Sequence, residues 1–169
     1  MPWVQPTEVK VKKHDTRVLF SSKSMEWATP RDFFHKLDSQ FNFTLDPCAR
    51  SHNALCSKYF TPDEDGLEQD WSGNKVFVNP PYGRGIGRWF QKAYEESLKK
   101  DTTVVMLIPA RTDTKYWHKY AMRADEIRLI KGRLKFGGGK NSAPFPSAVI
   151  VFNSGAGDPV ENPPKLAVM

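Results

Sequence analysis

The sequence predicts one mixed α/β domain whose sheet is mostly parallel and doubly wound, with a shortened set of strands. Strand-like apolar runs alternate with amphipathic helical patterns, which is the order found in parallel sheets that carry helices on both faces. The run TTVVMLIPA is apolar without alternation, as expected of a strand buried on both sides. Only 32 residues lie between Asp46 and Asn79, too few for two full crossovers, so we expect one strand–helix pair to be missing.

Three helices are predicted from start signals and apolar spacing. In EWATPRDFFHKLDSQF, Thr29 is the expected N-cap and Pro30 the first helical residue. The segments GRGIGRWFQKAYEESLKK and DTKYWHKYAMR give the other two helices. Apolar residues fall on one face of each of the first two helices: Phe33, Phe34, Leu37 and Phe41, then Ile86, Trp89, Phe90, Ala93 and Leu98.

Six strands and two flanking segments complete the predicted organisation. The strand segments are FTLDPCA, SKYFT, NKVFVNPPY, TTVVMLIPA, ADEIRLIKG and SAVIVFN. Residues 1–24 are polar and basic without a sustained period, so we expect a variable arm, and residues 154–169 are expected to form a flexible tail. Residues 25–153 are therefore predicted to form the single folded domain.

Composition restricts the class of protein. A chain of 169 residues, 39% of them hydrophobic, can bury a real core. Its longest apolar run is far too short to cross a bilayer, and the first residues hold no apolar segment of a secretory signal. Two cysteines, Cys48 and Cys56, do not make a disulfide framework. We therefore expect a cytoplasmic protein with no membrane partner.

The charge is divided unevenly along the chain. Residues 84–140 hold 14 Lys/Arg against 6 Asp/Glu, whereas residues 25–83 hold 5 Lys/Arg against 9 Asp/Glu. Such asymmetry indicates a surface that meets a polyanion, and nucleic acid is the usual candidate. A solvated basic helix face would give the same imbalance, so charge alone leaves both interpretations open.

Three predicted strands end in polar or rigid residues. The first ends at Asp46–Pro47, the second is followed by the acidic turn PDEDG, and the third runs into NPPY. Proline cannot donate to a sheet ladder, so the third strand stops at Asn79. Because ligands of open α/β sheets bind beyond the carboxyl ends of the strands, we expect all three endings to line one crevice.

A metal site is not predicted. Cys48, His52 and Cys56 recur every four residues, but a structural zinc ion requires four ligands and no fourth lies nearby in sequence. The glycines of residues 137–139 indicate a hinge, or a loop that orders on DNA, because no lysine and hydroxyl residue follow as in a phosphate-binding loop.

These segments, taken together, resemble the amino-group methyltransferases that use S-adenosylmethionine. NPPY resembles their motif IV, LDPCA their motif I, DWSGNKVFVNPPY motif III running into motif IV, and EWATPRDFF motif X. With GRLKFGGGKNSAPFPSAVIVF, the whole pattern is similar to the phage-type DNA N-6-adenine methyltransferases (Dam-like). The resemblance implies a minimal Rossmann-like domain with an antiparallel C-terminal strand, acting in the host-cell cytoplasm if the chain is phage-encoded.

The resemblance implies methyl transfer to the exocyclic N6 of adenine in DNA. This nitrogen is a poor nucleophile because its lone pair is delocalised into the ring. Asn79 Oδ1 and the Pro80 carbonyl, stiffened by Pro81, would accept its two hydrogens and free the lone pair. Tyr82 would stack on the base, which must be flipped out of the duplex. The implied catalytic set is Asn79, Pro80, Pro81 and Tyr82.

The resemblance also implies the residues that hold S-adenosylmethionine. Asp46 and Pro47 would contact its methionine end, over which Trp27, Thr29 and Pro30 would close. Asp70 would accept from the cofactor's adenine amino group and Trp71 would pack on that ring. One of Asp63, Glu64 and Asp65 would bind the ribose, and Asp65 is the preferred one. The implied cofactor set is Trp27, Thr29, Pro30, Asp46, Pro47, Cys48, Asp65, Asp70 and Trp71.

Duplex DNA with a flipped adenine is the implied partner, bound by a monomer or a weak homodimer. Motif I lacks the glycine-rich form that is frequent in methyltransferases. No separate target-recognition domain is visible in the sequence. The basic RTDTKYWHKYAMR helix and the KGRLKFGGGKNSAPFP loop are therefore the expected phosphate contacts. The predicted DNA-binding residues are Arg84, Arg88, Arg111, Lys115, Arg133, Lys135 and Lys140.

Several alternatives remain open from the sequence. Cytosine N4 in DNA, adenine in RNA and a protein glutamine amide all present a planar amino group to the same acceptors. The basic half of the chain argues against a protein substrate. A catalytically silent DNA-binding module of the same fold is a different class of answer, against which the intact Asn79 and Tyr82 argue.

Overall fold

The computed structural model of the chain describes residues 27–153 and 161–169. These residues form a seven-stranded sheet in the order β2-β1-β3-β4-β6-β5-β7. The strands are β1 (Leu45–Asp46), β2 (Lys58–Tyr59), β3 (Lys75–Val78), β4 (Thr103–Pro109), β5 (Glu126–Leu129), β6 (Ser147–Phe152) and β7 (Lys165–Val168).

The sheet is mixed and mostly parallel, as predicted. β1 pairs in parallel with β2 and β3, β3 with β4, and β5 with β7. β6 is antiparallel to both of its neighbours, β4 and β5. The fold is that of a Rossmann-like α/β domain, and the predicted antiparallel strand near the C-terminus is confirmed as β6.

Helices cover both faces of the sheet. They are α1 (Arg31–Phe41), α2 (Ile86–Ser97) and the single-turn α3 (Lys115–Lys119). The ring of Phe34 in α1 contacts Phe77 in β3 at 5.2 Å, and Tyr94 in α2 contacts Phe152 in β6 at 6.4 Å. Phe152 pairs with Val104, which in turn pairs with Val76 in β3, so these three side chains lie on one face of the sheet. Phe77 follows Val76 and therefore lies on the other face. The two helices therefore pack on opposite faces, because side chains alternate along a strand.

The segment between β1 and β3 is compressed. Residues 47–74, all described, contain the two-residue strand β2 and no helix. Thr44 and Lys75 exchange hydrogen bonds at the start of β1 and β3, which fixes the two strands side by side. The short connection thus leaves the carboxyl ends of β1, β2 and β3 bordered by loops instead of helices.

The prediction of a flexible tail over residues 154–169 is wrong for residues 165–168. Lys165–Val168 form β7, which extends the sheet beyond the domain boundary predicted at residue 153. Backbone bonds from Met169 to Leu129 and from Lys131 to Met169 anchor its end. β7 follows two prolines and is only four residues long, so no pattern in the sequence marked it. The predicted arm of residues 1–24 and residues 154–160 lie outside the described residues.

Three local predictions about helices also need correction. Pro30, not Thr29, is the N-cap of α1, and no side chain caps the helix. Leu98 is exposed beyond the end of α2 and does not join its inner face. The third helix ends at Lys119 and continues only as a 3₁₀ turn, Ala121–Arg123. None of the helices within the described ranges has the length and apolar character required to span a bilayer.

Candidate active site

A cavity of about 830 Å³ opens at the carboxyl ends of β1, β2 and β3. Asp46 ends β1 and Asn79 directly follows β3, so both lie at this edge of the sheet. The loop after β2 closes the opposite wall. The prediction that the three strand endings share one crevice is therefore confirmed. The predicted site residues that line the cavity are Trp27, Thr29, Pro30, Asp46, Pro47, Cys48, Asp65, Asn79, Pro80, Pro81, Arg88 and Lys135.

Asp46 places a buried carboxylate at the base of the cavity. Only 4% of the residue is exposed. Its Oδ1 accepts a hydrogen bond from the Cys48 backbone and its Oδ2 accepts one from the Leu55 backbone, both at 3.2 Å. Burial raises the pKa of Asp46 above its ordinary value, although these two bonds lower it. A cation beside this carboxylate would offset the desolvation, so the residue favours a positively charged ligand group.

The acidic loop contributes one carboxylate to the cavity. Of Asp63, Glu64 and Asp65, Asp65 alone is among the lining residues. The Asp65 backbone has a positive φ of 52°, and its Oδ1 accepts a bond from the Leu67 backbone at 3.1 Å. Glu64 is used differently, since its Oε2 caps the turn by accepting from Thr61. Of these three residues, Asp65 is therefore the one placed to contact a ligand in the cavity.

Asn79 has one end of its side chain fixed and the other free. Its Nδ2 donates to the Trp27 carbonyl and, at 2.9 Å, to Thr29 Oγ1. A carbonyl only accepts, so the amide nitrogen must be the end that faces Trp27. Oδ1 is buried and has no hydrogen-bond partner among the described residues. A buried acceptor without a partner is costly, and here it belongs to a residue of the cavity wall.

Tyr82 is buried, although the stacking role implied for it requires one face of the ring to be accessible. Its side chain is 6% exposed, and its hydroxyl donates to the Leu107 carbonyl at 3.2 Å. Phe136 and Phe145 cover the ring at centroid distances of 6.1 and 5.5 Å, each in an edge-on arrangement. Burial raises the pKa of Tyr82, so the phenol stays neutral and keeps donating. Residues 133–146, which carry both phenylalanines, are referred to below as the cover loop.

Asp70 and Trp71 are not among the residues that line the cavity, so the cofactor roles implied for them stay predictions. The Asp70 side chain is 67% exposed and binds Lys99 at 2.9 Å and Ser72 at 2.7 Å. The hydrogen bond from Lys99 is the main cause that lowers the pKa of Asp70. Trp71 is fully buried and donates its indole N–H to the Gly66 carbonyl. Trp71 is therefore a core residue, and neither side chain belongs to the cavity lining.

The seven predicted DNA-binding residues are all exposed on the surface. Arg88 and Lys135 also line the cavity, so positive charge reaches its rim. Sequence reasoning missed three further basic residues there, because single basic residues outside a cluster carry no signal. These are Arg31, Arg50 and His52.

Of the two cysteines, Cys48 lines the cavity. Neither cysteine forms a disulfide. Burial raises the pKa of the Cys56 thiol to about 12, and the nearby carboxylates of Asp46 and Asp38 contribute to the increase. Within residues 27–153 and 161–169, no group of three or more His, Cys, Asp and Glu side chains is arranged to hold a metal ion.

Two functional positions had only a weak signal in the sequence. Phe145 contributes to the cover over Tyr82 but lies between two prolines in a segment without periodicity. Gly66 packs directly against the Pro47 carbonyl. In the sequence, however, a glycine within an acidic segment predicts only a turn and not this contact. Both act through contacts between segments that are distant in sequence.

The sheet order, the cavity at the strand ends and the Asn-Pro-Pro-Tyr turn define a methyltransferase-like α/β domain. Comparison with known proteins identifies the group more closely. The profile of the DNA N-6-adenine-methyltransferase (Dam) family matches residues 16–164. The chain belongs to this family.

Two phage proteins are similar to the chain, and both are named DNA N-6-adenine-methyltransferase. The protein of Haemophilus phage HP1 (strain HP1c1) is 36% identical over 106 residues, which is 62% of this chain and 61% of the relative. The protein of Escherichia phage T1 is 31% identical over 110 residues, which is 64% of this chain and 45% of the relative. The chain thus matches less than two thirds of the length of either relative.

Proposed function

We propose that the protein transfers a methyl group from S-adenosylmethionine to the exocyclic N6 of adenine in DNA. Family membership and the names of the phage relatives support the reaction class. The observation that carries the proposal is that Asn79 lines the cavity and that its buried Oδ1 has no hydrogen-bond partner among the described residues. An acceptor of this kind is suited to a planar amine, whose hydrogen it accepts while the nitrogen becomes tetrahedral.

The cavity residues fit the cofactor. A volume of about 830 Å³ lies within the ordinary range for small-molecule sites. The buried Asp46 carboxylate suits the ammonium and sulfonium charges of the methionine end, and Asp65 suits the ribose hydroxyls. When bound, S-adenosylmethionine supplies an electrophilic methyl group on a sulfonium sulfur. The residues proposed to hold it are Trp27, Pro30, Asp46, Pro47, Cys48 and Asp65, whereas the Thr29 hydroxyl on the same wall accepts a hydrogen bond from Asn79.

The chain's own residues would prepare the amine for direct in-line attack. Asn79 Oδ1 and the Pro80 carbonyl accept from the amino group, and Pro80 and Pro81 keep these acceptors in place because their φ angles are fixed. No covalent enzyme intermediate is required. The proton can leave to water after transfer, so no strong general base is needed.

Stacking of the flipped base on Tyr82 would require the cover loop to move. Phe136 and Phe145 now occupy the space beside the ring, and Trp27 contacts both of them at 5.7 and 5.2 Å. Gly137 and Gly138 have positive φ angles of 65° and 68°. These glycines favour a change of loop conformation, because they reach left-handed backbone angles without strain. We propose that DNA binding displaces the two phenylalanines.

Exposed basic residues would hold the phosphates around the flipped nucleotide. Arg88 and Lys135 connect the DNA surface to the cavity rim. The remaining proposed contacts would bind phosphates and contribute affinity that falls with salt. They are Arg84, Arg111, Lys115, Arg133 and Lys140. Such an enzyme would act on DNA in the cytoplasm of a host cell.

The identity of the methylated nucleoside shows which base the protein modifies. The protein is incubated with methyl-labelled S-adenosylmethionine and varied duplexes, which are then digested to nucleosides. We expect the label in N6-methyldeoxyadenosine. Label in N4-methyldeoxycytidine would overturn the choice of adenine, and label in RNA or protein substrates alone would overturn DNA as the substrate. DNA binding without any transfer would identify a silent binding module.

A further inference from the structure

Residues 27–30, referred to here as the strap, hold the nitrogen end of the Asn79 amide. The Trp27 carbonyl and the Thr29 hydroxyl both accept hydrogen bonds from Nδ2. The sequence pattern had suggested other roles for Thr29, as the N-cap of α1 and as a cofactor contact. Its hydroxyl makes no capping bond to the helix, so its contact with Asn79 lacks an explanation from fold alone.

An asparagine amide depends on such external contacts for its orientation. The terminal torsion of the side chain has broad, roughly two-fold wells, so the two flipped states are similar in their own energy. In one state Oδ1 would face the substrate amine and accept a hydrogen. In the other state an NH₂ group would face an NH₂ group, and neither can accept. Catalysis by an acceptor therefore requires that one state be excluded.

We propose that the strap selects the catalytic orientation of Asn79 and that Thr29 is a positioning residue for the reaction. This inference rests on the proposed function, in which Asn79 Oδ1 binds the substrate amine. The Trp27 carbonyl excludes the flipped state because Oδ1 would then face another oxygen. Thr29 adds a second acceptor and holds Nδ2 from a second direction.

The strap also explains why asparagine, and not aspartate, suits position 79 in this chain. A carboxylate there would place an ionised oxygen against the Trp27 carbonyl, where the present contact is a hydrogen bond. Repulsion between two oxygens in a buried location is strong because water screens it poorly. Asn79→Asp should therefore rotate the side chain away from the strap and displace the acceptor.

The strap is attached to the cover loop as well. The Gly137 backbone donates to the Ala28 carbonyl at 2.8 Å, and the Trp27 ring packs against Phe136 and Phe145. Residues 27 and 28 thus contact the catalytic amide and the loop over Tyr82 at the same time. The strap therefore connects the catalytic amide to the cover loop, and its residues also line the cavity.

Thr29→Val and Thr29→Ser test the positioning role. Valine keeps the volume and removes the hydroxyl, so we expect kcat to fall about tenfold, the equivalent of one hydrogen bond. The dissociation constant of S-adenosylmethionine should stay within about twofold. Serine restores the acceptor and should recover most of kcat. Thr44→Val is the matched control, because the Thr44 hydroxyl bonds to Asn74 and Lys75 at the amino ends of the strands.

Each outcome of this experiment decides between roles. An unchanged kcat in Thr29→Val overturns positioning, and a weaker cofactor affinity with normal kcat assigns Thr29 to the cofactor instead. If kcat falls equally in Thr29→Val and Thr44→Val, in proportion to a loss of stability, the positioning role is also overturned. Asn79→Asp with full turnover would overturn the role of the Trp27 carbonyl.

A second readout does not depend on activity. Hydrogen exchange of the Asn79 side-chain amide, followed by NMR in protein labelled with ¹⁵N-asparagine, should be slow in the parent chain and faster in Thr29→Val. If the parent chain transfers no methyl group but this difference appears, the proposed function fails while orientation by the strap stands. Equal exchange in both proteins overturns the positioning role whatever the activity.

Discussion

The backbone of Gly66 packs directly on the carbonyl of Pro47, and a Cβ on Gly66 would lie 1.9 Å from the Pro47 oxygen. Both residues line the cavity. Pro47 follows Asp46 at the end of β1, and Gly66 follows Asp65 in the loop after β2. This contact therefore sets the distance between the two carboxylates proposed to hold the cofactor, and no residue with a side chain can take the place of Gly66 without moving one of the segments.

Gly66→Ala should weaken cofactor binding. The added methyl group meets backbone, which cannot rotate away, so the loop must shift and the free energy of unfolding should fall by about 1–3 kcal/mol. We expect at least about a tenfold increase in the dissociation constant of S-adenosylmethionine, measured by calorimetry. Gly85→Ala is the matched control, because a Cβ there meets nothing within 4 Å. Equal affinities in the two variants would contradict the account of the contact.

Cofactor affinity should depend on the ionisation of Asp46. Burial raises the pKa of this carboxyl, and protonation removes the charge that faces a cationic ligand. As the pH falls through the raised pKa, the affinity should therefore decrease, and binding should be accompanied by proton release. The stability of the protein without cofactor should depend on pH in the opposite direction. The contribution of Asp46 to stability falls as the pH rises through the same range, because the folded state holds the proton more tightly than the unfolded state.

Asp46→Asn provides the control for this pH dependence. Affinity should be lower than that of the parent chain at neutral pH by about tenfold or more, and it should be flat through the acidic range. Calorimetric titrations at several pH values in buffers of different ionisation enthalpy measure both quantities. A pH profile that persists unchanged in Asp46→Asn would show that another group is responsible.

Asp65→Ala and Asp70→Ala should differ in their effect on cofactor binding. Asp65 lines the cavity, whereas Asp70 is bound to Lys99 and Ser72 on the surface. We expect Asp65→Ala to weaken binding of S-adenosylmethionine about tenfold and Asp70→Ala to leave it within about twofold. Binding is measured for both under the same conditions. The reverse order would restore the role that motif similarity implied for Asp70.

These residues illustrate what the sequence could predict. The sequence correctly predicts that Asp46 and Asn79 lie at the same edge of the sheet, because the carboxyl ends of parallel strands meet there. This prediction does not depend on the path of the loops. Asp70 and Trp71 match a motif in residue type, but their position depends on the path of the loop before β3. That path is set by the indole bond to Gly66 and by Glu96, whose carboxylate accepts from the Trp71 backbone. Neither partner is recognisable from local sequence.

Tyr82→Phe and Tyr82→Leu should separate the hydroxyl from the ring. Removing the hydroxyl leaves the Leu107 carbonyl without its buried donor, so stability should fall by about 1 kcal/mol. Turnover of Tyr82→Phe should remain within about threefold, because the ring that stacks on the base is kept. Tyr82→Leu should lose about tenfold or more, the equivalent of one base-stacking contact. Steady-state kinetics on duplex DNA and thermal unfolding measure both effects, and equal turnover in the two variants would contradict stacking.

The burial of Tyr82 could not be predicted because its cover comes from distant residues. The local pattern shows an aromatic ring beyond a strand, and proline-fixed geometry correctly predicts that the strand ends before it. Phe136 and Phe145 lie more than fifty residues further along the chain, in a segment rich in glycine and proline. β7 was missed for a similar reason, since its four residues gain their structure from the edge of β5.

Asn79→Ala is the decisive variant for the proposed role of the Asn79 Oδ1 acceptor. The substitution removes the Oδ1 acceptor, which has no partner among the described residues, and the hydrogen bonds that Nδ2 donates to the strap. It leaves Asp46 and Asp65 in place. Turnover on duplex DNA and the dissociation constant of S-adenosylmethionine are measured on the same preparation. We expect methyl transfer to be abolished while cofactor binding largely survives. Loss of cofactor binding, or methyl transfer at the parent rate, would contradict this expectation.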